Sequence, residues 1–258
     1  TPEEIEAQEQ ALQEQVEAEK KANDAATAQD TLNTSAEDFG ISNPQDSLQM
    51  ANLQTKIGAF AYSANSASSQ EETVIENEVL YLKVNNKGGY ITEVRLKDFV
   101  KYDSVPVYLI KDQNSIFNIK FGTTDNRTLN TQDLFFQPSL SRNNGNQVLS
   151  MKLKVSETKF LEYRYELNPS EYLINFAVRS QGLSTVINSS NTINLDWSLD
   201  GYRHEKSLKT ENTMYSHLYY KTEGDVDYLN VGNTEVINDV AWVSYKQHFF
   251  SSSLLSDT

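Results

Sequence analysis

No cysteine occurs in the 258 residues, so disulfides, thiolate metal sites and cysteine nucleophiles are excluded. That absence does not name a compartment, because a chain of this length folds without covalent staples. Histidine is nearly as scarce: only His204, His217 and His248 are available for acid or base work near neutral pH. No apolar run approaches the roughly 18 residues needed to cross a bilayer, and the longest, residues 105–110, is interrupted by Pro106. Basic residues are few against acidic ones, 22 to 36, for a net charge of −14. Without a basic surface to neutralise phosphates, nucleic acid is excluded as an expected partner. No glycine-rich phosphate cradle is present either, since the "KGG" at 87–89 is followed by neither a helical pattern nor a Lys-Ser pair. The chain begins at Thr1 rather than Met, which reads as a mature or excised piece.

The charge is unevenly spread. Residues 1–75 hold 14 acidic and three basic side chains, a net of −11, whereas residues 76–258 hold 22 and 19, a net of −3. From Glu3 to Gln29 there is no Gly or Pro and Glu, Gln, Ala and Lys dominate, so propensity favours helix. The apolar stripe, Ile5, Leu12 and Val16, is too thin to pack on a core, which predicts a solvated spacer of about 40 Å if fully helical. A dimeric coiled coil is the alternative. Residues 30–75 read as a flexible linker, rich in Ser, Thr, Asn, Gln and Ala. One stretch within it departs: Asn43 and Pro44 can open a helix backed by Leu48, Leu53, Ile57 and Phe60, which predicts a short helix docked on the main domain.

Beyond residue 76 the period shifts from 3.6 towards 2. Leu149, Met151, Leu153 and Val155 alternate with Ser and Lys, and Leu161, Tyr163, Tyr165 and Leu167 alternate with Glu162, Arg164 and Glu166. Further strands are expected near 79–84, 90–96, 105–110, 116–121, 172–179, 192–199, 213–221 and 236–245, separated by turns such as "NNKGG", "SRNNGNQ" and "NPSE". Strands with one wet face imply antiparallel sheets. The expected architecture is mainly β: one large two-sheet antiparallel sandwich over 76–258, preceded by the acidic helical or disordered segment 1–75. Two smaller modules divided at 122–133 are the alternative.

Several constellations bear on chemistry. His217 alternates with Tyr215 and Tyr219, which puts all three on one strand face, either as a polar-aromatic surface or as a catalytic face. His204 lies in "GYRHEK", read as a loop; a relay to Glu205 or Glu211 is one reading, against which adjacent residues on a strand point in opposite directions. In "TEGDVD", residues 222–227, Glu223, Asp225 and Asp227 stand at alternate positions and can offer oxygens to Ca²⁺ or form a solvated turn, the full calcium-loop pattern being absent. Gly88 and Gly89 fit a tight hairpin turn. In "AWVSYKQHFFSSSLL", Trp242, Val243, Tyr245, Phe249, Phe250, Leu254 and Leu255 concentrate apolar bulk, expected as a central strand running into a second element and buried on both faces.

Two of these segments carry a resemblance. "ENEVLYLKVNNKGGYITEVRLKDF", residues 76–99, resembles the opening strands of the large extracytoplasmic domain of YidC-type membrane-protein insertases of Gram-negative bacteria. "WVSYKQHFF" is similar to that family's Trp-Val, Gln and aromatic pair, matched by Trp242, Val243, Gln247, Phe249 and Phe250. The resemblance implies a super-β-sandwich, the architecture shared with sugar mutarotases. It implies a non-catalytic domain on the periplasmic face of the inner membrane, in a multi-pass protein whose insertion groove lies in membrane helices outside this chain. It implies Sec translocon components and nascent membrane-protein substrates as partners, and neither cofactor nor metal. Relatives continue past the Trp/Phe segment with further strands, so it also implies either that sandwich strands are lacking after Thr258, with exposed edges and poor solution behaviour expected, or that the sheets are completed differently.

A rival on the same architecture is a mutarotase-like enzyme, which needs a His acid and a carboxylate base converging on a sugar; His204 or His217 with Glu205, Glu211 or Glu223 are its candidates. A surface adhesive sandwich is a third reading.

Overall fold

A computed structural model of the chain describes residues 47–66, 71–230 and 232–256. The acidic helix expected over 3–29 lies outside the described residues. The first described element is a helix, Ser47–Ile57, free of Gly and Pro, which Gly58 ends by entering the left-handed region at φ +60°. A single 3₁₀ turn, Gly58–Phe60, and a short helix, Ala61–Ser66, follow. Leu53, Ile57, Phe60 and Ala64 are buried, and Phe60 meets Phe121 edge-on at 5.5 Å. Ser63 Oγ donates to the Phe135 carbonyl at 2.6 Å. This helix interrupts the stretch expected to be linker, because its apolar positions find a buried surface to cover.

The rest is a super-β-sandwich of antiparallel strands. Hydrogen bonding divides its layers into four sheets: β1 (Glu72–Glu76), β2 (Leu80–Asn85), β3 (Ile91–Val100) and β4 (Pro106–Ile110) in that order; β10 (Ile174–Gln181), β9 (Phe160–Leu167), β8 (Asn146–Lys154) and β7 (Gln137–Asn143); β11 (Asn194–Leu199), β5 (Ser115–Gly122) and β6 (Thr128–Asn130); and β13 (Val226–Asn230), β12 (His217–Lys221), β14 (Trp242–Lys246) and β15 (Ser251–Leu255). The ladders break where β3 is bulged between Leu96 and Val100 and where β6 is only three residues long. Pairing begins at Glu72, on the N-terminal side of the composition break at 76, because β1 is short and flanked by acids that mask its alternation.

The core lies between the sheets of β2 and β9. Ile75, Leu82 and Val84 from one and Leu149, Met151, Leu153, Tyr163 and Leu167 from the other are fully or almost fully buried. In β9 every second side chain is buried, from Leu161 to Leu167, as its alternation predicts. Tyr163 is the hub of an aromatic cluster, with Phe136 at 4.8 Å, Phe176 at 5.4 Å and Phe117 at 6.2 Å. Phe117 belongs to β5, so the third sheet is tied into the same core.

Two strand expectations are shortened. Within 213–221, residues Glu211–Tyr215 form a π-helical turn and β12 begins only at His217. Tyr215 therefore does not share the face of His217 and Tyr219; its ring stacks on His248 at 3.8 Å instead. Within 236–245 only the last residues form β14, since Asp239 adopts φ +55° and breaks the extended run before it.

Candidate functional site

The residues carrying the sequence resemblance lie at two junctions between layers. At the first, Gly88 and Gly89 have φ +85° and +68°. A Cβ at Gly89 would stand 2.9 Å from the Phe136 ring. The Gly88 N–H donates to the Leu134 carbonyl at 2.8 Å, and the Gly89 carbonyl accepts from the buried Tyr165 hydroxyl at 2.7 Å. The turn between β2 and β3 thus locks the first sheet onto β9, a use beyond the tight hairpin read from the sequence. Burial raises the Tyr165 phenol well above its ordinary range, with the nearby Tyr163 adding to it, and burial likewise raises that of Tyr163.

At the second junction, β14 leads through a turn into β15, and the turn carries Gln247, His248, Phe249 and Phe250. Gln247 donates from Nε2 to the Tyr202 carbonyl at 2.6 Å and to Glu211 Oε1 at 3.4 Å. Its N–H donates to the Phe250 carbonyl at 2.8 Å, closing the turn. Phe250 packs on Phe99 of β3 at 5.6 Å and on His204 at 5.1 Å, so this turn bridges the first and fourth sheets. Phe249 points the other way and is 68% exposed. Its ring lies 3.9 Å from His248, which completes a stack of Tyr215, His248 and Phe249.

Trp242 pairs with Leu255 of β15 and Lys221 of β12, and Val243 with Leu254 and Tyr220. Both are only half-buried. The expectation of a strand buried on both faces is therefore corrected: one face of β14 meets β11, where Tyr245 donates to the Trp197 carbonyl at 3.2 Å, while the other carries half-buried Trp242 and Lys246 around Ser244, whose hydroxyl pairs with that of Ser253 at 2.7 Å. Burial raises the Tyr245 phenol, and Asp200 adds to it.

Glu211 is the residue that sequence reasoning offered as a relay partner and a candidate base. It is 2% exposed, and its carboxylate accepts from the backbone N–H groups of His204 and Glu205, each at 3.4 Å, and from Gln247. A single carboxylate thus gathers residues 204–205, its own π-helical turn and the "KQHFF" turn. An isolated Glu in "KTENTMY" gives no sequence sign of burial, because the groups that satisfy it come from elsewhere in the chain.

The catalytic candidates do not assemble into an acid–base pair facing a cleft. The His204 ring, 3% exposed, holds the Tyr108 carbonyl with Nε2 at 2.9 Å, and its Nδ1 has no partner among the described residues. Glu211 receives the backbone N–H of His204, not its ring. His217 lies among aromatic rings, Tyr228 at 5.0 Å and Tyr219 at 6.1 Å. Glu223 is in the turn beyond the far end of β12. His248 Nδ1 and Glu205 Oε1 stand 3.9 Å apart at the surface. An open depression of about 390 Å³ elsewhere, lined by Glu76, Lys97, Arg142 and Gln147 among others, contains none of the candidates. Among the described residues no three His, Asp or Glu side chains group closely enough to hold a metal, Glu223, Asp225 and Asp227 included.

The fold and the junctions define a mainly-β sandwich domain whose distinctive residues join its layers. The comparisons with known proteins name the family. A family model described as the YidC periplasmic domain matches residues 72–258, so the chain belongs to that family. It is 34% identical over 254 residues to the "Membrane protein insertase YidC" of Porphyromonas gingivalis, covering 95% of this chain and 40% of that protein. The protein of the same name from Parabacteroides distasonis is 31% identical over 268 residues, covering 99% of the chain and 40% of the relative. That of Phocaeicola vulgatus is 30% identical over 213 residues. The chain spans about two fifths of the length of the relatives it matches first. No described helix is long and apolar enough to cross a membrane.

Proposed function

We propose that this chain is the periplasmic domain of an inner-membrane insertase and that it assists membrane-protein insertion without catalysing a covalent reaction. It does so by contacting inserting chains and components of the Sec translocon on the periplasmic side. The observation that supports this most is the match of residues 72–258 to the YidC periplasmic domain, a family whose curated members are named insertases. The outward aromatic groups on β12 to β15, with Phe249 beside them, suit contact with other chains, because exposed rings offer large area at low entropic cost.

Photo-crosslinkers placed at Phe249 in the full-length protein, in native membranes, test the reading. Adducts with inserting membrane proteins or translocon subunits are expected. Normal insertion after deletion of the domain, with no such adducts, overturns it. Measuring anomer interconversion of aldoses with the purified chain tests the non-catalytic part, and the expected rate is that of buffer alone.

A further inference from the structure

β13 ends the fourth sheet, so one of its backbone edges is open among the described residues. Which groups face outward follows from the hairpin. Thr222 N–H donates to the Asp225 carbonyl at 3.1 Å, and the one-to-one register then makes Tyr220 with Asp227, and Leu218 with Leu229, the hydrogen-bonded pairs. Val226, Tyr228 and Asn230 therefore turn their N–H and C=O groups away from β12. Two of these are already capped from within the chain: the Tyr228 N–H by Asp227 Oδ1 at 2.7 Å and the Asn230 carbonyl by the Asn233 N–H at 3.1 Å. The Val226 N–H and C=O, the Tyr228 C=O and the Asn230 N–H have no partner among the described residues.

The side chains along this edge are apolar and exposed. Val226 is 55% exposed and Tyr228 47%, and the register sets them on the same face as Tyr219, His217 and Trp242. The charge along the edge is mostly acidic, with Lys221 standing opposite Val226 in the register. Between Lys221 and Lys246 stand Glu223, Asp225, Asp227, Glu235 and Asp239, with no Lys or Arg. Asp227 and Glu235 also raise the Tyr220 phenol, after burial as the main cause, so the two acids act on one place.

The geometry points to β13 as an acceptor for an extended segment of another polypeptide, added as a fifth strand and carrying alternating apolar and basic residues. Backbone groups at an open edge are complementary to an extended chain, and the apolar face takes alternate side chains of the incoming strand. The acidic surround selects basic residues at the remaining positions. Asp227 acts as the guard: its carboxylate occupies the Tyr228 N–H in the free edge, and a basic residue on the incoming strand draws it away while a carbonyl takes its place. The inference deepens the reading that the domain contacts other chains, by assigning one surface and one peptide chemistry.

The test uses the purified chain and a labelled synthetic peptide of alternating valine or tyrosine and lysine, followed by fluorescence anisotropy. Saturable binding is expected, weakened at least about tenfold by Asp227→Asn and by Val226→Pro. The proline removes an outward N–H and leaves the bonds to β12 in place, which an unchanged circular dichroism melt verifies. A backbone N-methylated peptide and a peptide with glutamate for lysine are expected to fail. Absence of binding, equal binding of either control peptide, or unaltered binding to both variants overturns the proposal. Crosslinks to inserting chains from Phe249 but none from a probe at Tyr228 overturn this edge and leave the domain's general role standing. Crosslinks from neither position count against both.

Discussion

The sheets β1 to β4 and β7 to β10 differ from the sheet β12 to β15 in how their two faces are used. The first pair bury a continuous set of aliphatic and aromatic side chains, with Leu82, Leu149, Met151 and Tyr163 inaccessible to water. In the last sheet only Tyr220 and Ser244 reach the same class of burial, and Val226, Tyr228 and Leu255 are exposed. All are antiparallel with one-to-one registers over most of their length, so backbone pairing is not what separates them. The difference is how much is covered: the buried face of β9 meets the first sheet and Phe117 of β5, while Trp242 and Lys246 on one face of β14 stay only half-buried. A strand pair supplies directional hydrogen bonds, but stability scales with the apolar area that a second layer removes from water.

Substitutions in the two regions should separate this contrast by size. The largest effect is expected from Tyr163→Ala, which empties the centre of the ring cluster and should cost about 3–5 kcal/mol in urea unfolding. An equal loss from a ring on the outer face of β12, such as Tyr219→Ala, would break the contrast. Gly89→Ala should cost about 1–3 kcal/mol, because the added methyl meets Phe136 in a backbone conformation that only glycine adopts without strain. Glu211→Ala should cost a similar amount, about 1–3 kcal/mol, by leaving the backbone N–H groups of residues 204 and 205 and the Gln247 amide without their shared acceptor. Its readout is a selective change in the near-ultraviolet signal of the aromatic turn before global unfolding.

Alkaline solution gives a third comparison. The phenols of Tyr163 and Tyr165 are raised in the folded chain, so their contribution is fully present below the ordinary tyrosine value of about 10. Above that value the unfolded chain loses these protons while the folded chain keeps them, and stability should fall by about 1.4 kcal/mol per pH unit for each such tyrosine. Urea midpoints across that range, for the wild type and Tyr165→Phe, measure it; the variant should show the shallower decline. The smallest effect is expected from Phe249→Ala, within about 0.5 kcal/mol, since its ring is mostly in water. A larger loss would show that the stack with His248 and Tyr215 holds the turn.

Legibility followed burial. β8 and β9 could be read residue by residue, because a strand with one buried and one wet face must alternate. β7, "QPSLSRN", escaped notice, since an edge strand with exposed faces carries no such alternation, whereas β15, "SSSLL", is the second element expected after the Trp242 strand. β13 was hidden in the acidic "TEGDVD" run for the same reason. The helix at 47–57 was readable from Leu53 and Ile57, whereas the π-helical turn at Glu211 was not. Of the resemblance-bearing residues, Gly88 and Gly89 could be assigned to a turn, but not to a lock on Tyr165 and Phe136.

By itself the sequence determined the antiparallel β character of the body, its lack of thiol chemistry, and the two segments that announce the YidC periplasmic family. These are local properties, written in alternation, in glycine's backbone freedom and in side-chain type. Only the tertiary structure decided that Glu211 is buried beneath the "KQHFF" turn, that Tyr215 leaves the strand face to stack on His248, and that β13 ends its sheet open. Each of these depends on which distant segment supplies a hydrogen bond or a covering layer, and no spacing along the chain encodes that choice.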